Sequence, residues 1–122
     1  MFDRDLIMEI LNQILTATNR IVRRCEGIVE PNDFLVSNEG IDKLDAICMM
    51  LIAIGENLKN IDRITDGKLL KKFPEVDWKG AKGMRDIISH HYFDLNAEVV
   101  FAICMDRIPG LMKTIIKMKE SL

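Results

Sequence analysis

Apolar side chains return every three or four residues along four segments of this chain. That spacing matches an α-helical turn of roughly 3.6 residues, so each segment predicts a helix with one apolar face. No run of useful length alternates between apolar and polar residues, as a half-buried β-strand would. We therefore expect an all-α protein folded as an antiparallel four-helix bundle.

Capping and turn residues separate the predicted helices. The second helix begins at a cap formed by Ser37 or Asn38, whose side chains can accept a hydrogen bond from a free backbone N–H. It ends before a turn at Asp66 and Gly67. The other expected elements are a first helix over residues 3–29, a short extra helix near 68–73, a third helix over 78–92 and a fourth over 97–122.

Several residues predict how these helices pack. Residues 46–54 are nearly all apolar, which indicates a central helix or one in a dimer contact. Gly55 allows another backbone to approach closely, and Gly80 and Gly83 suggest tight packing of the third helix. The Pro109–Gly110 pair predicts a kink in the fourth helix, because proline cannot donate to the backbone ladder. On the first helix the apolar stripe comprises Leu6, Ile10, Ile14, Ile21, Cys25 and Ile28.

The composition suits one globular domain covering residues 1–122. Apolar residues make up 48% and charged residues 30%, enough for a core and for a charged surface. Cys25, Cys48 and Cys104 are widely spaced and form no zinc motif, which favours free thiols in a reducing cytoplasm. Charges at residues 3–5 interrupt any leader, and no apolar run reaches the roughly 18 residues of a membrane span. We therefore expect a cytoplasmic protein without membrane contact.

Basic residues are clustered although the net charge is −2. Between Arg63 and Arg85 there are seven basic and three acidic side chains, and Arg20, Arg23 and Arg24 share one helix face. Clusters of this kind can bind phosphate groups or can simply form a solvated surface.

The run from Met84 to Tyr92 contains both histidines of the chain and is the best candidate for chemistry. Arg85 and His90 suit phosphodiester cleavage, since arginine binds phosphate oxygens and histidine exchanges a proton near neutral pH. Their five-residue offset separates the side chains by about 140° and about 7.5 Å on a helix. They converge only near a helix end or across two chains. On spacing alone, a surface arginine and a helix-terminal histidine are the simpler interpretation.

Neighbouring side chains leave further interpretations open. Asp86 precedes His90 by four residues and can orient it through a hydrogen bond. Asp86, His90 and Asp94 also follow at four-residue intervals, and a divalent metal bound by all three is a weaker alternative. His91 is either a neighbour on the wrong helix face or a second phosphate contact. Glu56 is either a surface residue or a polar contact near the site.

Four blocks of sequence resemble the HepT-like branch of the HEPN superfamily. The third block fits the family signature R-x-x-x-x-H-x-Y with Arg85, His90 and Tyr92. The blocks keep the family order within residues 44–115 and read Ile54 to Lys59, Phe73 to Trp78, Gly83 to Phe93 and Asp106 to Pro109.

The resemblance implies a HEPN-like helical domain that is a metal-independent endoribonuclease with no cofactor, the toxin of a toxin–antitoxin pair. It implies that Arg85 stabilises the phosphate of an RNA substrate and that His90 is the general acid and base. Such proteins act as homodimers whose signatures face a shared cleft. Their antitoxin, a minimal nucleotidyltransferase, adds AMP to the signature tyrosine, here Tyr92. The added anionic group would occupy the phosphate site and repel RNA.

The residue after the signature arginine departs from the family pattern. Asn is frequent after the signature arginine, whereas this chain has Asp86. A carboxylate there is expected to lower the affinity for RNA and to raise the basicity of His90. The alternative hypothesis is a non-catalytic helical module that binds a nucleotidyltransferase partner or nucleotides.

Overall fold

The computed structural model describes residues 2–94 and 96–122, with the side chains of His91 and Tyr92 left outside that description. These residues form helices and turns, and none of them belongs to a β-strand. The predicted all-α, four-helix bundle is confirmed. Within the same residues, every helix is too short or too polar to cross a membrane.

The α-helices are α1 (Arg4–Arg24), α2 (Asn38–Thr65), α3 (Trp78–His91), α4 (Ala97–Ala102) and α5 (Ile108–Glu120). A π-helical turn, Ile103–Arg107, joins α4 to α5, so the three form the fourth helical segment of the bundle. Short 3-10 helices occur at Pro31–Phe34, Leu70–Lys72 and Tyr92–Asp94. The second of these is the short extra helix expected near residues 68–73.

Helix α1 is shorter than the sequence predicts. It ends at Arg24 rather than near residue 29, and Gly27 adopts the left-handed backbone conformation, with φ 83°. A glycine redirects the chain there without a steric penalty, ahead of Pro31. Most of the expected apolar stripe is buried, namely Ile10, Ile14, Ile21 and Ile28. Leu6 is instead 40% exposed, and Ile7 and Leu11 are fully buried beside the stripe.

Helix α2 is the central helix of the bundle. It packs against both α1 and α3, and Ser37 caps it by accepting a hydrogen bond from the Gly40 N–H at 3.0 Å. Asp66 and Gly67 end it with left-handed backbones, at φ 54° and 71°, which confirms the predicted turn. Its fully buried side chains are Ile47, Leu51, Ile54, Leu58 and Ile61.

The fourth helical segment is interrupted next to the predicted proline. Pro109 lies in the first turn of α5, and the π-helical turn Ile103–Arg107 directly precedes it. A proline ring clashes with the carbonyl four residues earlier and removes a hydrogen bond. The wider π-helical turn, which contains residue 105, accommodates both effects.

Candidate active site

Helix α3 carries Arg85 and His90, and its first turn is anchored by two side-chain hydrogen bonds. Asp77 caps the helix by accepting from the Gly80 N–H at 3.0 Å. The indole N–H of Trp78 donates to the Phe73 carbonyl at 2.8 Å. Further along, the Ile88 side chain is only 3% exposed and packs into the core. One face of α3 is thus fixed inward, which determines where the other faces point.

Arg85 lies where α3 comes closest to α2. A Cβ on Gly55 would lie 3.1 Å from the Cβ of Arg85 and 3.2 Å from its backbone nitrogen. The same Cβ would lie 3.3 Å from the carbonyl oxygen of Ala81. Gly55 is therefore the point of close helix approach, as its residue type predicted.

The tight packing expected at the two glycines of α3 does not occur among the described residues. A Cβ on Gly83 would meet no atom of them within 4 Å, and Gly83 therefore faces open space. A Cβ on Gly80 would meet only the side chain of Asp77. Glycine at position 80 leaves room for the residue that caps the helix, and does not bring a second helix closer.

Glu56 forms an ion pair with Arg85 across the α2–α3 contact. Its Oε2 atom lies 3.4 Å from Nε of Arg85, and the two side chains are 52% and 42% exposed. Glu56 is therefore a surface residue that also makes a polar contact beside the candidate site, so the structure agrees with both interpretations. The carboxylate follows Gly55 directly, so the residue that permits the close approach also places Glu56 near Arg85.

Asp86 links Arg85 to a second residue of α2. One carboxylate oxygen accepts a hydrogen bond from Nη1 of Arg85 at 3.0 Å, and the other accepts from Nζ of Lys59 at 3.1 Å. Among the described residues the partners of Asp86 are thus Arg85 and Lys59, whereas the sequence suggested His90. Carboxylates and cations alternate from Glu56 through Arg85 and Asp86 to Lys59.

The contacts in this cluster shift the pKa values of its members. The hydrogen bond to Asp86 and the negative charge of Glu56 raise the pKa of Arg85 above its ordinary value. The hydrogen bonds from Arg85 and Lys59 lower the pKa of Asp86 below its ordinary range. Both shifts favour the charged forms of Arg85 and Asp86.

His90 lies on the outer surface of α3. Its side chain is exposed, and its position is about 200° around the helix from Ile88, which points into the core. Arg85 is only about 60° from Ile88 and therefore points towards α2. The helix remains α-helical through His91, so one chain does not bring the two side chains to the same point.

The helix changes character at the signature tyrosine. Helix α3 ends at His91, and the backbone of Tyr92 begins the 3-10 helix Tyr92–Asp94. On a continuous helix, position 92 would lie about 200° around the axis from position 90, so Tyr92 could join the site only if the helix loosens or if a second chain brings it close. The side chains of His91 and Tyr92 lie outside the described part of the structure, so the roles expected for these two residues stay predictions.

The alternative metal site depends on a helix that continues to Asp94. Because α3 ends at His91 and Asp94 lies in the following 3-10 helix, the four-residue spacing from Asp86 no longer keeps these residues on one face. Within residues 2–94 and 96–122, side chains of His, Cys, Asp and Glu form no group of three or more placed to hold a metal ion.

The basic clusters are mostly exposed but are not all free. Lys82 forms an ion pair with Asp62 and so belongs to the α2–α3 contact. Arg24 is partly buried, whereas Arg20 and Arg23 are exposed. The other exposed basic side chains between the ends of α2 and α3 are Arg63, Lys68, Lys71, Lys72 and Lys79.

Lys59 is the cluster member to which the sequence gave no role. It lies three residues after Glu56, so both side chains are on one side of α2. That spacing is visible in the sequence, but its partner Asp86 is 27 residues away. The packing of α2 against α3, which includes the close contact at Gly55, brings Lys59 and Asp86 together.

Comparison with known proteins adds a family to this geometry. The model of the ribonuclease HepT-like family matches residues 14–118. A Methanocaldococcus jannaschii protein named "Putative RNase MJ0127" is 36% identical over 70 residues, which are 57% of this chain and 54% of that protein. This chain therefore spans about half the length of that relative.

A second relative matches nearly end to end. The Caldanaerobacter subterraneus subsp. tengcongensis protein named "Putative RNase TTE0752" is 30% identical over 105 residues, 86% of this chain and 87% of that protein. No solved structure gives a significant match. Because the family model covers most of the chain, this protein belongs to the ribonuclease HepT-like family.

Proposed function

We propose that this protein is a metal-independent endoribonuclease that cuts RNA through the ribose 2′-hydroxyl group. The observation that carries the proposal is the half-exposed Arg85, held at the α2–α3 contact on the same helix as an exposed His90. Membership in a family of ribonucleases supports the assignment of RNA as the substrate. Arginine is suited to phosphate oxygens by its planar, permanently charged group.

In the proposed reaction the ribose 2′-oxygen forms a bond to phosphorus while the bond to the leaving 5′-oxygen breaks. His90 in its neutral form removes the proton from the 2′-hydroxyl group. Once protonated, His90 supplies a proton to the leaving 5′-oxygen. Arg85 stabilises the negative charge that develops on the phosphate oxygens. The products are a 2′,3′-cyclic phosphate and a 5′-hydroxyl end.

The proposal includes a homodimer. Arg85 points towards α2 whereas His90 points away from the core of the same chain, so a second chain offers a route for the two groups to meet at one phosphate. A cleft between two copies would place the Arg85 of one chain opposite the His90 of the other. The family resemblance likewise implies a homodimer whose two signatures face a shared cleft.

We propose that the ribonuclease is the cytoplasmic toxin of a toxin–antitoxin pair. Its partner would be a minimal nucleotidyltransferase that adds AMP to the Tyr92 hydroxyl group. Mass spectrometry of the chain after incubation with such a partner and ATP tests this part. Addition of AMP to the wild-type chain but not to Tyr92→Phe is expected, and equal addition to both chains contradicts it.

The ribonuclease itself is tested with Arg85→Ala and His90→Ala in EDTA-containing buffer. Each substitution is expected to lower the cleavage rate of a labelled RNA by about 100-fold or more, while circular dichroism stays unchanged. Arg4→Ala is the matched control, because Arg4 is an exposed arginine at the start of α1, outside both basic clusters. Undiminished cutting by both site variants would overturn the proposal.

A further inference from the structure

We propose that Glu56 is the positioning residue of Arg85, holding its guanidinium in the orientation that meets the phosphate of the substrate. The inference deepens the proposed ribonuclease function and rests on it. It gives a role in the reaction to a residue outside the R-x-x-x-x-H-x-Y signature, on a different helix.

The first support is where Glu56 is anchored. Ile54 and Leu58, which lie on either side of Glu56 along α2, are fully buried, so the backbone at position 56 is anchored in the core of the bundle. From this base the carboxylate reaches Nε of Arg85 at 3.4 Å. A functional side chain is held most precisely when its partner stands on such a rigid element.

The second support is the difference between the two carboxylates that contact Arg85. Asp86 is its neighbour on α3, so any movement of that helix carries both residues together. Glu56 belongs to α2 and therefore fixes the guanidinium relative to the rest of the bundle. Asp86 contributes to that only indirectly, through its bond to Lys59.

The third support is the part of the guanidinium that each carboxylate contacts. Arginine has five N–H donors in a rigid plane. Glu56 contacts Nε and Asp86 contacts Nη1. A phosphate oxygen is then best met by the donors on Nη2, with the plane of the group already set by Glu56. Such orientation before the reaction lowers its barrier, and a misplacement of about 1 Å can cost about 100-fold in rate.

The fourth support is that the ion pair between Glu56 and Arg85 has only a small role in folding stability. Both side chains are about half exposed, and exposed ion pairs contribute little to folding stability. Loss of Glu56 should therefore alter the reaction without unfolding the chain, which allows the two effects to be measured separately.

The test compares Glu56→Gln with Glu75→Gln, using RNA cleavage and thermal unfolding. Glu75 also forms an ion pair with a lysine, at 2.9 Å from Lys117, but lies away from the Arg85 cluster. We expect Glu56→Gln to lower kcat by about 10- to 100-fold. KM should stay equal or fall, since a negative charge near the RNA is lost. Both variants should unfold at the wild-type temperature, and Glu75→Gln should keep wild-type kinetics.

A second readout follows the guanidinium itself. The Nε–H signal of Arg85, assigned by its loss in Arg85→Lys, should shift in nitrogen-15 spectra of Glu56→Gln but not of Glu75→Gln. In the Arg85→Lys background Glu56→Gln should have no further effect on rate, because lysine has no Nε–H to hold.

The possible outcomes distinguish the positioning role of Glu56 from the proposed ribonuclease function. If the wild-type chain cuts RNA and Glu56→Gln matches Glu75→Gln in kcat, the positioning role is wrong and the ribonuclease stands. A rise in KM with kcat unchanged would equally contradict positioning. If the wild-type chain cuts no RNA, the function and the inference fall together.

Discussion

Arg85 packs so closely on Gly55 that a Cβ added at position 55 would lie 3.1 Å from the Cβ of Arg85. This contact exists because glycine has no side chain, and it brings three residues of the cluster together. Glu56 follows Gly55 on α2, and Asp86 follows Arg85 on α3. The spacing between the two helices at this point therefore determines the geometry of the candidate site.

Gly55→Ala is expected to destabilise the fold and to slow RNA cleavage. The added methyl group would meet Arg85 and the Ala81 carbonyl at 3.1–3.3 Å, so α3 must move outward. We expect a loss of about 1–3 kcal/mol in the free energy of unfolding by urea. Gly83→Ala, in open space on α3, should instead stabilise by about 0.5–1 kcal/mol. Equal effects of the two substitutions would contradict the close contact at Gly55.

Asp86→Asn is expected to tighten RNA binding. The carboxylate contacts both Arg85 and Lys59, so an asparagine at this position removes one negative charge from beside two cations. An increase in affinity of about two- to fivefold is expected by fluorescence anisotropy, with His90→Ala present to prevent cutting. Asp62→Asn is the control, since it removes the same charge from the pair with Lys82. The interpretation fails if both variants bind alike.

Asp33 is expected to stabilise the chain less in acid. Its carboxylate accepts hydrogen bonds from the N–H groups of Val29 at 2.8 Å and Glu30 at 3.1 Å, and these bonds lower the pKa of Asp33. Because its pKa is lowered on folding, Asp33 contributes its full share of folding stability above the ordinary pKa of 3.8. This stabilisation is lost as the pH falls through the lowered pKa. The Tm difference between wild type and Asp33→Ala should therefore be constant near neutral pH and narrow below pH 3.8. A difference that widens in acid would contradict this.

Cys25 is expected to be the most reactive thiol. All three cysteines are free, and a hydrogen bond with Cys104 together with the charge of Lys43 lowers the pKa of Cys25. Burial raises the pKa of Cys48 to about 11, and the hydrogen bond with Cys25 raises that of Cys104. Because the thiolate is the nucleophile, iodoacetamide at neutral pH should modify Cys25 about tenfold faster than the other two. Mass spectrometry of a time course measures the order, and earlier modification of Cys48 would contradict it.

The sequence was informative wherever one local pattern decides the structure. The apolar period predicted four helices, Ser37 was identified as a possible cap of α2, and Gly55 was recognised as a place of close approach. The end of α1 was misplaced because Pro31 gave a stronger signal than Gly27, whose left-handed backbone redirects the chain first.

The candidate site was only partly predictable, because its contacts join distant parts of the chain. Arg85 and His90 were found from their residue types and the family signature, and their divergence followed from helix geometry. The bond between Lys59 and Asp86 spans 27 residues and depends on how α2 and α3 pack. The local alternative, a bond between Asp86 and His90, looked simpler in the sequence because helix spacing alone could provide it.

The most direct test of the proposed ribonuclease is the chemistry of the ends that it leaves. A short RNA is cut by the wild-type chain in EDTA, and mass spectrometry identifies the fragments. We expect 2′,3′-cyclic phosphate and 5′-hydroxyl ends, and no cutting where the ribose at the cut site lacks its 2′-hydroxyl group. Fragments with 3′-hydroxyl and 5′-phosphate ends, or cutting that stops in EDTA, would contradict it.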